Sequence, residues 1–279
     1  MGSRRLSVCA CLLAVELYAQ GQQHQQRPGW PCTGGRAVDP TYVAIAEGTG
    51  GHLYMLGPSE AAQTGTLMAW NLKHKVTVFR AMGEMREGGA ASEFSFPVDP
   101  SIESLVLTVS LQCPESVSIL APPGVEASGE RVDFRAGRAL RVVRPTPGPW
   151  RFRVAGRGVF FVTAEAASEL SLDEARFVQP GGRPGHEGLF PMKTPPALGS
   201  QGLLELELSK APQRGVGVRL VASDGRTLER LNVEPESQLL VRVPLRHPAF
   251  RILVEGVDEG GWPFQRMQAP LTTVASPAQ

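Results

Sequence analysis

The chain has 279 residues, which is enough for one large domain or two small ones, because domains cluster near roughly 100–150 residues. Its 28 lysines and arginines nearly balance its 27 aspartates and glutamates. The formal net charge of +1 therefore excludes a bulk field that would attract nucleic acid or an anionic membrane surface. Together, 31 glycines and 24 prolines make up about a fifth of the chain without a fixed period, which favours many turns between short strands.

The first 19 residues have the pattern of an export signal. Arg4 and Arg5 form a positive start, and the apolar run Leu6 to Val15 that follows is too short to span a bilayer of ~30 Å. Ala19 is small enough to be the cleavage residue, although a charged residue after the apolar run leaves an uncleaved leader or membrane anchor as the alternative. We expect residues 1–19 to be removed as a signal peptide. The mature protein is then secreted and extracellular, or periplasmic in a bacterium, without a membrane span.

Two cysteines, Cys32 and Cys113, remain once the leader is removed. In an oxidising compartment they can form a disulfide, and closing a loop of that length would stabilise the fold by roughly 4–5 kcal/mol in the chain-entropy model. Two unpaired thiols are the alternative. Two cysteines alone cannot form a four-ligand zinc site, so the sequence leaves their pairing open and predicts no zinc.

The segment over residues 20–74 mixes helical and extended patterns. Apolar residues at helical spacing around Pro40 predict a short helix over 39–47 that ends at glycines. Alternation from His52 to Leu56 predicts a strand, and a second helix is expected from Ser59 to about Lys73. One strand between two helices leaves both strand edges unpaired, so this segment is too small to close a doubly wound domain of its own.

From residue 75 onward the apolar period changes from that of a helix to that of a strand. Seven short β-rich runs in about ninety residues predict an antiparallel sandwich over residues 75–165. In the run that begins at Trp150, apolar residues alternate with arginines. A slip of one residue would drive two guanidinium groups into the core. We therefore expect Trp150 and Phe152 to face the core, and Arg151 and Arg153 to face solvent.

A loop dense in glycine and proline over residues 179–202 separates that region from a second β set, which predicts another sandwich over residues 166–271 of immunoglobulin or fibronectin type III type. Asp224-Gly225 is a strong hairpin signal, because glycine readily adopts a positive φ and aspartate tolerates one. A polar tail follows over residues 272–279. The chain is therefore expected to be mainly β, with a short α/β N-terminal segment followed by two immunoglobulin-like or galactose-binding-like β-sandwiches.

No catalytic or metal-binding motif is evident. The five histidines are far apart in sequence, and there is no H-E-x-x-H pattern, P-loop, nucleophile elbow or Rossmann fingerprint. Glu205 and Glu207 could form a carboxylate pair, but the leucines beside them indicate the solvent-facing side of a strand. Asp258 and Glu259, next to two glycines, could offer oxygen ligands to calcium, and a hairpin turn is the simpler interpretation. We predict no enzyme, no cofactor, and no catalytic or metal site.

Several short motifs together resemble one family. The string from Asp39 to Tyr54, with Cys32 shortly before it, resembles the closing helix-turn-strand of a von Willebrand factor A domain. Later motifs are similar to the β region that follows the A domain in hemicentins and related extracellular proteins. These motifs are Phe96-Pro-Val-Asp-Pro-Ser101, Pro147-Gly-Pro-Trp150, Gly156-Arg-Gly158, Val254-Glu-Gly-Val-Asp258 and Phe264-Gln-Arg266. The resemblance extends from about Cys32 to Leu271.

One family feature is missing from this chain. A complete A domain carries a D-x-S-x-S metal-ion-dependent adhesion motif, whereas this chain matches only the end of that domain. Asp99-Pro-Ser101 is followed by Ile102 and Glu103, and departs from the motif in both sequence and place. The resemblance thus implies an extracellular fold without the family's metal-dependent adhesion, and without the cysteine that pairs with Cys32 in the family. It also implies that the N-terminal strand and helices either cap the sandwich or pair with another chain.

These observations predict a non-catalytic extracellular module for adhesion or structure, which contacts proteins or matrix or envelope components through sheet faces and loops. The alternative is a carbohydrate-binding or accessory module of a secreted enzyme system, since β-sandwiches serve both roles. An exposed row of aromatic side chains would favour the alternative, and the four tryptophans and three tyrosines show no such row. A hydrolase with a site assembled from distant residues has no motif to support it.

Overall fold

The structure is a computed structural model that describes residues 32, 38–70, 72, 74–210, 215–233 and 239–273. The predicted signal peptide over residues 1–19 and most of the polar tail over residues 272–279 lie outside the described residues.

Within its described residues, the N-terminal segment contains three short helices. In chain order they are α1 (Pro40–Thr49), a 3-10 helix (Pro58–Gln63) and α2 (Thr64–Ala69). The Asp39 carboxylate caps α1 by accepting a hydrogen bond from the Thr41 N–H at 2.8 Å, and Gly50 ends the helix with a φ of 69°. The first predicted helix is confirmed. The second is shorter than predicted and begins with the 3-10 turn.

The strand predicted from His52 to Leu56 is wrong. These residues are extended, but they pair with no strand within the described part of the chain. The side chains of Leu53, Tyr54 and Leu56 are instead buried against the face of a sheet. The alternation in the sequence therefore reflects contact with a surface below the segment and not pairing with a neighbouring strand. Within this chain, the N-terminal segment caps a sheet.

Sixteen strands lie within the described residues, and the prediction of a mainly β chain is confirmed. They are β1 (Lys75–Met85), β2 (Ser92–Val98), β3 (Ile102–Ala121), β4 (Val125–Glu126), β5 (Glu130–Phe134), β6 (Gly137–Val143), β7 (Gly148–Ser168), β8 (Ser171–Gly181), β9 (Gly188–Pro191), β10 (Gln201–Ser209), β11 (Gly217–Val221), β12 (Thr227–Leu231), β13 (Leu240–Pro244), β14 (Ala249–Val257), β15 (Pro263–Met267) and β16 (Leu271–Thr272).

These strands pair antiparallel in two sheets. The larger sheet has the order β12-β11-β14-β15-β1-β7-β3-β6-β5, with β2 paired to β7, β4 to β3 and β16 to β14. The smaller sheet has the order β13-β10-β8-β9. Because β15 pairs with β1, the larger sheet includes strands from both of the regions predicted as sandwiches, residues 75–165 and 166–271.

The long paired strands β3 and β7 both bend at the same point of their ladder. Their ladder shifts register between Leu111 and Cys113, and the facing Gly156 and Gly158 have positive φ angles of 142° and 85°. A Cβ on Gly156 would lie 2.2 Å from the Cys113 carbonyl oxygen, so only glycine permits this approach. Side chains from both halves of each strand pack in one hydrophobic cluster, because the sheet folds over itself at this bend.

The predicted register of the Trp150 run is confirmed. Trp150 is 2% exposed and Phe152 is fully buried, whereas Arg153 is exposed and Arg151 is half-buried. The indole N–H of Trp150 donates a hydrogen bond to the Thr146 carbonyl at 2.9 Å. The alternation thus places one large aromatic pair in the first core and both guanidinium groups outside it.

A second hydrophobic cluster lies between the two sheets. It combines side chains from β10 and β13 of the smaller sheet with side chains from β11 and β14 of the larger one. The predicted Asp224-Gly225 hairpin is confirmed between β11 and β12. Gly225 has a φ of 86°, and its N–H donates to the Ala222 carbonyl at 3.0 Å. The turn residues therefore do what their backbone preferences predict.

Of the two alternatives for the cysteines, the structure shows the disulfide. Cys32 and Cys113 are bonded, with their Cα atoms 5.3 Å apart and a sequence separation of 81 residues. The Arg157 guanidinium also donates to the Cys32 carbonyl at 2.9 Å. The bond attaches residue 32 to the bend between β3 and β7.

Candidate functional site

A buried arginine connects distant parts of the β structure. Arg266 and Asp99 have no exposed surface, and Arg266 Nη1 lies 2.8 Å from Asp99 Oδ2. Arg266 also donates to the Leu170 carbonyl at 2.7 Å and to the Ser168 hydroxyl at 3.0 Å. The Ser101 hydroxyl donates to Asp99 and accepts from Arg266. The Asp99 carboxylate is therefore occupied by protein donors, and a metal could use it only by breaking a buried ion pair.

A second charged cluster lies under the N-terminal segment. His52 Nε2 and Lys75 Nζ lie 2.8 Å and 2.9 Å from the same oxygen, Glu165 Oε2. Burial alone raises the pKa of Glu165, but the charges and hydrogen bonds of His52 and Lys75 outweigh this effect and lower the pKa to about 2. Glu165 is therefore an ionised carboxylate in the interior, where it ties the capping segment and β1 to β7.

Two buried arginines extend this cluster. Arg80 donates to the Gly51 carbonyl, and its guanidinium carbon lies 4.9 Å from the centre of the Phe161 ring. Burial lowers the pKa of Arg80 to about 10, against the opposing effect of a nearby glutamate, so this side chain stays charged at neutral pH. Arg251 pairs with Glu47 of α1. The capping segment is thus held to the sheet by charged and polar contacts as well as by apolar packing.

One part of this cluster has the connectivity of a catalytic relay. Thr163 Oγ1 lies 3.5 Å from His52 Nδ1, and the other imidazole nitrogen faces Glu165. Thr163 has no exposed surface, so its hydroxyl does not reach solvent. The sequence did not reveal this arrangement, because His52 and Glu165 are 113 positions apart. The one available signal was a lone glutamate in a run of small and apolar residues.

The candidate residues from the sequence lie apart from one another. Glu205 and Glu207 are on the solvent-facing side of β10, and Glu205 Oε2 accepts a hydrogen bond from Arg176 at 2.7 Å. Asp258 Oδ1 accepts from the N–H of Trp262 at 2.8 Å in the β14–β15 turn, in agreement with the hairpin interpretation. Among the described residues, no group of three or more His, Cys, Asp or Glu side chains is placed to hold a metal ion. None of the described helices is long and apolar enough to cross a membrane.

The Glu165 cluster predicts an acid-sensitive contribution to stability. The pKa of Glu165 is about 2 in the fold and ~4.3 in an unfolded chain. Because the unfolded state binds the proton first, the contribution is present above pH ~4.5 and is lost as the pH falls toward 2. We expect a loss of up to about 3 kcal/mol over this window. Urea unfolding at pH 2–6 should show a flatter profile for Glu165→Gln. The exposed Glu169→Gln is the control, and a Glu165→Gln profile parallel to that of wild type would contradict this role.

Beyond the part of β8 that pairs with β10, strands β8 and β9 of the smaller sheet continue as a two-stranded ribbon, which we call the arm (residues 179–191). Every residue of the arm is exposed. Gln179 pairs with Phe190 and Gly181 with Gly188, and the smaller sheet ends at β9. The arm lies inside the region predicted as a loop over residues 179–202. A two-stranded ribbon is at best marginally stable on its own, and strands that belong to a core are not usually exposed to solvent on both faces.

The arm exposes apolar side chains on both of its faces. Phe190 is 45% exposed and Leu189 is 38% exposed. Phe190 lies beside Gly181, where an added Cβ would come within 3.3 Å of the ring. Leu189 lies on the opposite face with its pairing partner Pro180. The charged residues of the arm are confined to the turn region that joins its strands. Large apolar side chains are therefore exposed on both faces of the arm.

Comparisons with known proteins assign this chain to no family. A scan against protein-family models finds no match, and neither does a search of curated proteins. Two solved structures are similar in part: the Bacillus licheniformis lipase BlEst2 in propeptide form (TM-score 0.29, 9% identity, 71% of this chain and 40% of that one) and the Endo-D glycoside hydrolase domain Spr0440 of Streptococcus pneumoniae R6 (TM-score 0.19, 6% identity, 69% and 33%). The chain thus spans well under half the length of these structures, and the likeness carries no functional argument.

Proposed function

We propose that this protein is a non-catalytic extracellular module that binds partner proteins, or matrix or envelope components, through the arm. The observation that carries the proposal is the exposure of Leu189 and Phe190 on a ribbon that projects from the smaller sheet. Aromatic and aliphatic side chains in such positions stabilise a protein little while they face solvent. They contribute binding free energy when a partner covers them.

The charged interior supports binding rather than catalysis. Among the described residues, Asp99 and Glu165 are the buried carboxylates, and each is neutralised by a cation on another part of the chain. Their contacts hold elements together and do not open toward solvent. The perturbed pKa of Glu165 is therefore accounted for by a structural ion pair, which is the common alternative to a catalytic role.

The test compares two double variants that remove equal numbers of exposed apolar side chains. Leu189→Ser with Phe190→Ser changes the arm, and Val125→Ser with Val257→Ser changes exposed valines elsewhere. We expect the arm variant to bind immobilised matrix proteins and envelope fractions at least about tenfold more weakly in biolayer interferometry, because each lost apolar contact costs roughly 1 kcal/mol. The valine variant should bind like wild type. Equal binding by the wild type and both variants would contradict the proposed role of the arm.

The same assay includes EDTA. Binding should persist with the chelator, because Asp99 is held by Arg266 and the D-x-S-x-S motif is missing. Adhesion that appears only with millimolar Mg²⁺ would reveal a site of a different kind.

The carbohydrate-binding alternative has one observation in its favour. The indole of Trp262 is exposed at the β14–β15 turn, and an exposed indole face can stack on a sugar ring. Trp150, by contrast, is buried and is not available for stacking. Retention on polysaccharide beads, together with no binding to proteins, would favour this alternative over adhesion.

A further inference from the structure

We infer that the arm pairs edge to edge with the arm of a second copy of this chain, across a two-fold axis. The inference rests on the proposed function, in which the arm is the contact surface, and adds a second copy of this chain to the components that the surface binds. Strand β9 is the last strand of the smaller sheet, so one of its edges has no neighbouring strand among the described residues. An unpaired edge is a template for another strand.

The pairing within the arm determines which backbone groups face outward. The N–H of Met192 donates to the carbonyl of Phe177 at 2.9 Å, on the side of β9 that faces β8. In an antiparallel ladder, hydrogen-bonded positions recur at every second residue, so Phe190 also bonds toward β8. The N–H and C=O of Leu189 therefore point away from β8, toward the open edge. Pro191 has the same orientation but offers only its carbonyl.

An antiparallel pairing centred on Leu189 is self-complementary, as a two-fold axis requires. Leu189 of each copy would donate to and accept from Leu189 of the other. Glu187 of each copy would donate its N–H to the carbonyl of Pro191 in the other. The missing N–H of Pro191 stops the ladder from extending further. Phe190 of one copy would lie opposite Gly188 of the second, where the absence of a side chain leaves room for the ring.

The charges near the edge match this register. Glu187 and Lys193 flank β9, and with its register continued past both ends Glu187 comes opposite Pro191 of the second copy. Lys193 of the second copy is then the diagonal neighbour on the same face. Lys193 is exposed and makes no ion pair with any residue in the described ranges. Among the described residues, the Glu187 carboxylate accepts a hydrogen bond from the nearby Gly185 N–H, at 3.3 Å, and forms no ion pair. Because of the two-fold symmetry, the dimer would contain this Glu187–Lys193 attraction twice.

The size of the contact determines its strength. Stable interfaces bury about 1,600 Å² in total, and an edge contact between two short ribbons buries less. The dimer is therefore weak and reversible, with a Kd of about 10–100 μM. Attachment of the protein to a surface would raise its local concentration and so increase the fraction of dimer.

Sedimentation velocity of the full chain at about 5–500 μM tests the inference. Leu189→Pro removes the outward N–H at a position that makes no ladder bond to β8, and we expect the Kd to rise at least tenfold. Glu187→Lys and Lys193→Glu should each raise the Kd roughly three- to tenfold at low salt. The combined charge swap should restore the wild-type Kd, because it rebuilds the attraction with reversed signs. Val125→Ser, at an exposed position outside the arm, is the control and should dimerise like wild type.

The outcomes separate this inference from the proposed function. Wild type that remains monomeric at every concentration overturns the inference, and so does a dimer that Leu189→Pro and the charge variants leave unchanged. If the wild type is monomeric and the Leu189→Ser with Phe190→Ser variant still loses adhesion, the proposed function stands and this inference fails. A dimer that requires the arm, without adhesion to any matrix or envelope component, supports this inference and contradicts the proposed function.

Discussion

Replacing Arg266 by methionine should lower the free energy of unfolding by about 3–5 kcal/mol, because the change leaves the Asp99 carboxylate as an uncompensated charge in the interior. Both side chains are fully buried, and the guanidinium also donates to the Leu170 carbonyl and the Ser168 hydroxyl. All these partners lie 96 or more positions away in sequence. The loss should therefore affect the whole fold rather than one strand.

Urea denaturation of three variants checks this result. Arg226→Met removes an exposed arginine whose Nε lies 3.7 Å from Asp224, and should cost less than about 1 kcal/mol. Asp99→Asn combined with Arg266→Met should be more stable than Arg266→Met alone, because the buried charge is gone. A loss below about 1 kcal/mol for Arg266→Met would contradict this role of the Asp99–Arg266 ion pair.

Trp150→Ala should also lower the free energy of unfolding by about 3–5 kcal/mol, the usual cost of deleting a large buried aromatic side chain. Trp150 faces Phe96 across the β2–β7 ladder, in the cluster that both halves of β3 and β7 enclose. The deletion would leave a cavity in that cluster and the Thr146 carbonyl without its indole donor. The surrounding side chains cannot move freely to fill this cavity, because they belong to the bent strands β3 and β7.

Thermal and urea unfolding should show this loss with little change in the far-ultraviolet spectrum at low temperature. Trp262→Ala is the matched control, because its indole is exposed at a turn, and it should cost less than about 1 kcal/mol. Trp150→Phe should fall between the two, since it keeps a ring in the core but loses the hydrogen bond to Thr146. Equal losses for Trp150→Ala and Trp262→Ala would show that Trp150 is not a core residue.

Local patterns predicted most of the strands and the side chains that face the first core. The run after Trp150 specified its register because two arginines alternate with apolar residues, and burying either would be costly. The Asp224-Gly225 turn was predictable for a similar reason, since its backbone preference belongs to those two residues. Such signals are short-range, and the residues next in sequence are enough to read them.

Predictions from local patterns were wrong where the contacts of a segment come from residues far away in the sequence. The extended segment from His52 to Leu56 alternates like a strand, but it packs on a sheet face and pairs with no strand in the described chain. The sequence predicts only short β-rich runs over residues 75–165. Strand β3 is instead one strand of 20 residues that bends near Cys113, opposite Gly156 and Gly158.

Periodicity in the sequence is enough to predict a mainly β chain, the positions of most strands and a core-facing Trp150, because it records which side of a strand avoids water. The buried ion pair and the arm depend instead on contacts between distant parts of the chain. Asp99 and Arg266 are 167 positions apart, and no local pattern marks which buried charges will meet. The arm has the composition of a loop, and its exposed pair of strands depends on where the smaller sheet ends. Long-range neutralisation of charge and the position of a sheet edge are properties of the packed chain, and neither has a period that a sequence displays.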